Sequence, residues 1–290
     1  MDIIGDKMIN LTLYKLTQNE LFNYIKGYLN ALKIKFIEFD KQIISINHPN
    51  KPCFIAHLDT VNDLDMKKEL IVSDDKLYRK NGILGSDDRA GVNIILNHCE
   101  DINFIFTRDE EIGCLGVREI AKLFENKPKL IKDITCFIEL DRKGGNSLLS
   151  VKHGYCNEDL RNAIMDIALN EGIIFVDDIG AFTDVDYLLT YKPAVNMSVG
   201  YYNPHSNDEY LNINEYNRIN NLIPLLNSGL NDVYTIVDIE HSYKCYDNIE
   251  CYCEICETII TDKPYTTEYI DCICYDCFTY LQELEKKGGI

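Results

Sequence analysis

The chain has 290 residues, 46% of them hydrophobic, enough for one large domain or one domain with a small appendage. A formal net charge of −18 excludes general affinity for nucleic acid, which needs basic surface to neutralise phosphates. No apolar run approaches the ~20 residues of a membrane-spanning helix, and the opening "MDIIGDKMINLTLYKL" lacks a basic start followed by a long apolar block, so a cytoplasmic protein is expected.

In chain order, "NELFNYIKGYLNAL" (19–32) places apolar residues at helical spacing, while "KFIEF" (35–39) and "QIISI" (42–46) read as strands. "PCFIAH" (52–57) is a continuous apolar strand, and "RAGVNIILNHC" (89–99) is a helix. "INFIFT" (102–107) is a buried strand, followed by a helix in "GVREIAKLFE" (116–125) and a strand in "DITCFIEL" (133–140). "NEDLRNAIMDIALNEG" (157–172) is helical, "AVNMSVG" (194–200) is a strand, and a last helix or pair of helices fills about 214–230. Continuous apolar strands alternating with helices predict a three-layer α/β/α sandwich with a mostly parallel central sheet over residues 1–240.

Composition shifts around residues 236–245. Seven of the twelve cysteines fall between Cys245 and Cys277, whereas Cys53, Cys99, Cys114, Cys136 and Cys156 are scattered mostly through apolar stretches and read as small core residues. In "CYCEIC" and "CICYDC", Cys253-x-x-Cys256 and Cys274-x-x-Cys277 stand 17 residues apart, the spacing of a four-thiolate zinc ribbon over residues 245–290. Cys251 and Cys272 are left over. Between its cysteine pairs this tail has Lys263 against Glu257, Asp262, Glu268 and Asp271, which disfavours nucleic acid and suggests a protein partner or self-association.

Five groups of potential metal ligands sit where strands stop: His57 and Asp59 in "AHLD", Asp87 and Asp88 in "GSDDRAG", Asp109 to Glu111 in "RDEEIG", Glu139 and Asp141 in "ELD", and His205 in "NPHS". Singly, each has an ordinary explanation as a helix cap, a solvated loop or a hydrogen-bonded histidine. Together they fit the crevice beyond the carboxyl ends of an open α/β sheet. Consecutive acids such as Asp109, Glu110 and Glu111 repel one another, and divalent cations would relieve that repulsion. Two ions ~3.5–4 Å apart need a shared carboxylate and about two terminal ligands each. The inventory supplies Asp87 as bridge, His57 and Asp141 for one ion, and Glu111 and His205 for the other. Glu110 is left outside the ligand set, free to serve as general base.

These motifs resemble the co-catalytic zinc exopeptidases: the peptidase T and glutamate carboxypeptidase group and the leucyl and glutamyl aminopeptidase groups. His57-Leu-Asp59 is similar to their H-x-D motif, "DDRAG" to their D-x-K/R-x-G motif with Asp87 as the bridging acid, and Glu110-Glu111 to their base-then-ligand pair. Asp141 and "PHS" with His205 complete the order over residues 52–212. The resemblance implies two zinc ions, with cobalt or manganese as alternatives, and a role for Asp59 in orienting His57 rather than binding metal. It departs from the peptidase T branch, because residues 142–204 leave no room for a lid domain. Tyr201 or Tyr202 would then have to stabilise the oxyanion, or else pack at a strand end. "GAFTDVDYL" (180–188) resembles a substrate-binding loop of the lidless aminopeptidases, in which Asp184 or Asp186 would pair with a substrate ammonium or cap a helix. The expected function is hydrolysis of amide bonds in short peptides by an aminopeptidase or dipeptidase. A deacylase of N-acyl compounds and a catalytically idle interaction module are the alternatives.

Overall fold

Thr17 starts the first helix with a capping box: its hydroxyl accepts the Glu20 N–H at 3.4 Å, while the Glu20 carboxylate accepts the Thr17 N–H at 2.9 Å. The helix that follows, α1 (Gln18–Ala31), buries Leu21, Phe22, Ile25 and Leu29 on one face. The computed structural model describes residues 9–149, 158–178, 183–232 and Tyr234, and the backbone of the two-residue strands at 3–4, 151–152, 155–156, 237–238, 251–252 and 259–260.

The further helices are α2 (Ser86–His98), α3 (Leu115–Asn126), α4 (Glu158–Asn170) and α5 (Ile213–Gly229). The strands are β1 (Ile37–Phe39), β2 (Gln42–Ser45), β3 (Lys51–His57), β4 (Leu70–Ser73), β5 (Lys76–Arg79), β6 (Asn103–Thr107), β7 (Ile134–Arg142), β8 (Ser147–Leu149), β9 (Val176–Asp178), β10 (Ala194–Ser198), β11 (Tyr201–Tyr202) and β12 (Tyr210–Asn212). Eight of them form one sheet in the order β9-β8-β10-β7-β3-β6-β2-β1. Its centre, β10-β7-β3-β6, is parallel, while β8 and β2 pair antiparallel with it on either side. The expected mostly parallel sheet is therefore present.

Alternation along the central strands builds the three layers. Phe54 and Ala56 of β3, Phe104 and Phe106 of β6 and Ile138 and Leu140 of β7 join the core formed with α1, α2, α4 and α5. Phe137 points to the opposite face, where its ring stacks on Phe124 of α3 at 6.3 Å. Strands covered on both faces must be apolar throughout, which is why these segments show no polar alternation.

The sequence reading did not anticipate a second sheet, antiparallel and four-stranded, in the order β11-β12-β5-β4. Its β4–β5 hairpin turns at Asp74 and Asp75, with Asp74 at φ 53°. β12 pairs with β5, which brings the segment after His205 alongside the segment before α2.

Two compact units make up the chain. One spans Met1–Asp178 and Asp184–Val237; the other spans Ile179–Thr183 and Asp238–Ile290. In the second unit, Cys251–Tyr252 pairs antiparallel with Ile259–Ile260. The expected ribbon ligands Cys253, Cys256, Cys274 and Cys277 lie outside the described residues. Among the described residues no helix is long and apolar enough to cross a membrane.

Candidate metal centre

The parallel strands β3, β6 and β7 all end on one side of the sheet, and each delivers acids or an imidazole there. β3 stops at His57, whose Nε2 stands 3.0 Å from Asp87 Oδ1 and 3.6 Å from Asp141 Oδ1. His205, on the loop after β11, places Nε2 3.1 Å from Asp87 Oδ2 and 3.0 Å from Glu111 Oε1. Asp87 thus offers one oxygen to each imidazole. The five side chains that the sequence nominates as ligands form one contiguous cluster.

Gly85 (φ 76°) precedes α2, the Asp87–Asp88 peptide is cis, and neither Asp87 nor Asp88 has helical φ/ψ. The ligand atoms of His57, Asp87 and Glu111 lie within 4.8 Å of one another, as do those of His57, Asp88 and Asp141. Asp88 nevertheless engages both oxygens with main chain: Oδ2 accepts the His57 N–H at 3.2 Å and Oδ1 the Gly91 N–H at 2.9 Å. Asp87, which faces both histidines, is the better ligand.

Asp59 takes a supporting position. Its Oδ1 and Oδ2 accept the N–H groups of Glu110 and Glu111, both at 3.0 Å, and Oδ1 stands 3.3 Å from His57 Nδ1. One carboxylate therefore holds the main chain of the two consecutive glutamates and stands beside the imidazole. Tyr201, buried, donates its hydroxyl to Asp141 Oδ1 at 3.0 Å. Tyr202 instead donates to Glu215 at 2.8 Å and stacks on Tyr210, which turns it toward α5. Asp184 is fully buried with neither carboxylate oxygen hydrogen-bonded, while Asp186 is half-buried.

Three residues outside the expected ligand set hold the cluster in place. Arg89 is fully buried and donates to the carbonyls of Leu58 at 2.6 Å, Asp59 at 3.1 Å and Leu16 at 3.2 Å. Asn196 brackets Asp141, accepting its N–H at 3.1 Å and donating to its carbonyl at 2.9 Å. Glu209 accepts the N–H groups of Gly85 and Asp87. Arg89 was visible as the basic position of "DDRAG"; Asn196 and Glu209 carried no signal of their own.

Electrostatics record crowded negative charge. Burial, with Asp87 beside it, pushes the Asp141 carboxyl up to about 7. Burial also raises Glu110 well above the usual carboxylate range, with Asp141, Asp184 and Glu111 adding to it against the opposing pull of His57. Glu111 is raised by burial and then by Asp87. Burial works against the charged form of His57, yet Asp141, Asp59 and Asp87 hold its pKa well above the ordinary value. His205 is raised to about 11 by Asp87 and Glu111. Asp87 is lowered, because its contacts with His205 and His57 outweigh burial.

This donor set fits divalent cations. Glu111 Oε1 is buried and receives no hydrogen bond, although His205 Nε2 stands only 3.0 Å away, so the contact lacks donor geometry. Carboxylate oxygens and imidazole nitrogens packed this closely are the ligands zinc takes, and a dication would return the raised carboxyl groups toward ionisation. Glu110 stays outside the cluster, its Oε1 3.6 Å from the Cys114 thiol, which donates to it.

No protein-family model and no curated protein matches the sequence. Among solved structures, the fold is similar to aminopeptidase PepT from Bacillus cereus ATCC 10987 (TM-score 0.62, 13% identity, 77% of this chain and 97% of that one). It is also similar to a tripeptidase from Staphylococcus aureus subsp. aureus Mu50 (TM-score 0.60, 16% identity, 78% and 100%) and to the Pyrococcus horikoshii TET1 peptidase (TM-score 0.58, 15% identity, 72% and 94%). The chain has the fold of these peptidases.

Proposed function

We propose that this chain is a metal-dependent hydrolase of amide bonds, acting on short peptides as an aminopeptidase or dipeptidase. The observation that carries the reading is Asp87 reaching both His57 and His205, with Asp141 and Glu111 completing the two sides and Glu110 left free. In this reading His57 and Asp141 would hold one ion and Glu111 and His205 the other, with Asp87 available to both. Zinc, or cobalt or manganese in its place, supplies a Lewis acid that polarises the amide carbonyl and acidifies water. Glu110 takes a proton from the attacking water and returns it to the leaving nitrogen. Its place outside the ligand set, with only the Cys114 thiol among the described residues donating to it, leaves its carboxylate available for that transfer. Asp59 keeps His57 and the Glu110 main chain in register, and the Tyr201 hydroxyl orients Asp141.

Peptide as the substrate class is supported by the similar structures, an aminopeptidase, a tripeptidase and a TET peptidase. Asp184 and Asp186 are assigned to a substrate ammonium and Tyr201 to the oxyanion, whereas Tyr202, held by Glu215 and Tyr210, takes the alternative role of packing at its strand end. Cys253, Cys256, Cys274 and Cys277 are assigned to a structural zinc that staples the tail. The Pyrococcus horikoshii TET1 peptidase assembles into a tetrahedron or a large octahedral shell; self-association of this chain, or a protein partner at its tail, belongs to the same proposal. Free thiols at Cys53, Cys99, Cys114 and Cys136 suit a cytoplasmic setting.

Metal analysis together with Glu110→Gln tests the reading. The expected result is two ions at the hydrolytic site and one on the tail, with Glu110→Gln keeping the metal and losing turnover on aminoacyl peptides by roughly 10²–10⁴-fold. Full activity in that variant would overturn the assignment of the base. Turnover of N-acyl compounds in preference to peptides with a free amino terminus would make the enzyme a deacylase.

A further inference from the structure

Glu209 is 1% exposed, and its carboxylate lies beneath the turn that carries Asp87. Oε2 accepts the Gly85 N–H at 2.8 Å and Oε1 the Asp87 N–H at 3.2 Å, while the Ser86 N–H is turned to the same group. Gly85 is left-handed at φ 76°, and this lets consecutive N–H groups converge on one anion. Glu209 itself sits at the end of the His205 loop. Its N–H donates to the Ser206 carbonyl at 3.2 Å, the Ser206 hydroxyl donates to the Asn203 carbonyl at 2.9 Å, and the Asp208 N–H donates to Ser206 Oγ at 3.2 Å. Asn203 and His205 both hold positive φ, so this loop is a closed turn with a defined shape.

We infer that Glu209 is a positioning residue that locks the His205 loop to the Asp87 turn, making the two sides of the metal centre one rigid unit. The inference rests on the metal reading of the site and adds a residue to it. Asp87 and His205 lie far apart in sequence yet must meet at 3.1 Å, and the Asp87 backbone departs from helical geometry, so neither helix propagation nor chain continuity fixes their separation. Glu209 does so through main-chain hydrogen bonds on one side and the 203–209 turn on the other. Its pair of acceptor oxygens matters: a carboxyl group can take N–H groups through both oxygens at once, which a carboxamide cannot.

Glu209→Gln keeps the shape but turns one oxygen into an NH2 that opposes an N–H donor. Cobalt(II) titration of the full chain reads the effect, because the absorption bands separate carboxylate–imidazole coordination from thiolate coordination on the tail. The expected result is roughly 10–100-fold weaker cobalt binding at the hydrolytic site, with tail binding and the metal-free far-ultraviolet spectrum unchanged. Glu209→Asp, which keeps both oxygens one methylene short, is expected to recover part of that loss. Binding at wild-type affinity in Glu209→Gln overturns the inference and leaves the hydrolase reading intact; absence of carboxylate–imidazole cobalt in the wild type overturns the hydrolase reading itself. Should neither variant fold, amide hydrogen exchange in the metal-free wild type decides. Protected Gly85 and Asp87 N–H groups support the lock, and exchange at the rate of open loop amides overturns it.

Discussion

Arg89 shows how a single side chain can serve a site it does not enter. Its guanidinium is fully buried and donates to three carbonyls, those of Leu16, Leu58 and Asp59, two of which belong to the loop that follows His57. The D-x-R spacing places it one turn into α2 and directly beneath that loop, so the physical requirement behind the motif's basic position is a multiply donating cation. Arg89→Met would leave those carbonyls without donors and remove a positive charge from beneath Asp59 and Asp88; it is expected to cost about 3–5 kcal/mol in urea unfolding of the metal-free protein. Loss of under about 1 kcal/mol would show that water or a shifted neighbour replaces it. Asp59→Asn separates fold from function more sharply. An asparagine puts an NH2 where one carboxylate oxygen stood, so the Glu110 and Glu111 N–H groups can no longer each have an oxygen of their own. Metal affinity is expected to fall roughly 10–100-fold, read by chelator competition, and unaltered affinity would remove Asp59 from the support of His57.

At the level of elements, the glycine of "DDRAG" is set by the approach of α2 to β7. A Cβ on Gly91 would stand 2.5 Å from Asp88 Oδ1 and collide with the Leu140 carbonyl, main chain that cannot move without shifting Asp141. Gly91→Ala is therefore expected to destabilise by about 1–3 kcal/mol and to weaken metal binding at the same time; a thermal transition within a degree of wild type would contradict this packing. The same contact explains what the sequence could and could not disclose. β3, β6 and β7 were legible because strands covered on both faces need unbroken apolar runs; His57, Glu111 and Asp141 were legible at or just beyond the ends of those runs, and Asp87 and His205, which sit in the first turn of α2 and on the loop after β11, through their motifs. The β4–β5 hairpin was not, since "LIVS" and "KLYR" are short, half-exposed and joined by Asp74-Asp75 rather than by a glycine turn. Asn196 and Glu209 were illegible for another reason. An asparagine within a strand and a glutamate in a loop look ordinary until the fold brings them against Asp141 and Asp87, and only then do their hydrogen bonds give them a role.

Across the whole molecule, the site concentrates carboxyl groups whose folded pKa values lie above their unfolded values. Asp141, Asp184 and Glu209 are each pushed up to about 7, mainly by burial, and Glu110 and Glu111 are raised as well. Unfolded carboxyl groups titrate near ~4, so between ~4 and about 7 the unfolded chain releases protons that the folded chain retains, and stability falls as pH rises. His205 has the same sign through a different route: raised to about 11, it stabilises fully below the ordinary histidine value of ~6.5 and loses that contribution on the way up to its folded value. Asp87 and Asp59, both lowered, act in the opposite direction, but only below ~4. The metal-free protein should therefore lose thermal stability from about pH 5 to about pH 8, a trend opposite to that of proteins held by paired carboxylates. Divalent cations bind the deprotonated forms, so the rise in melting temperature on adding zinc should grow over the same interval. Asp184→Asn removes one of the displaced protons without altering a proposed ligand, and its metal-free melting temperature should vary less steeply with pH. A metal-free melting temperature that climbs across this interval would mean that the acids at the strand ends carry their charges without strain, and the case for cations between them would lose its electrostatic basis.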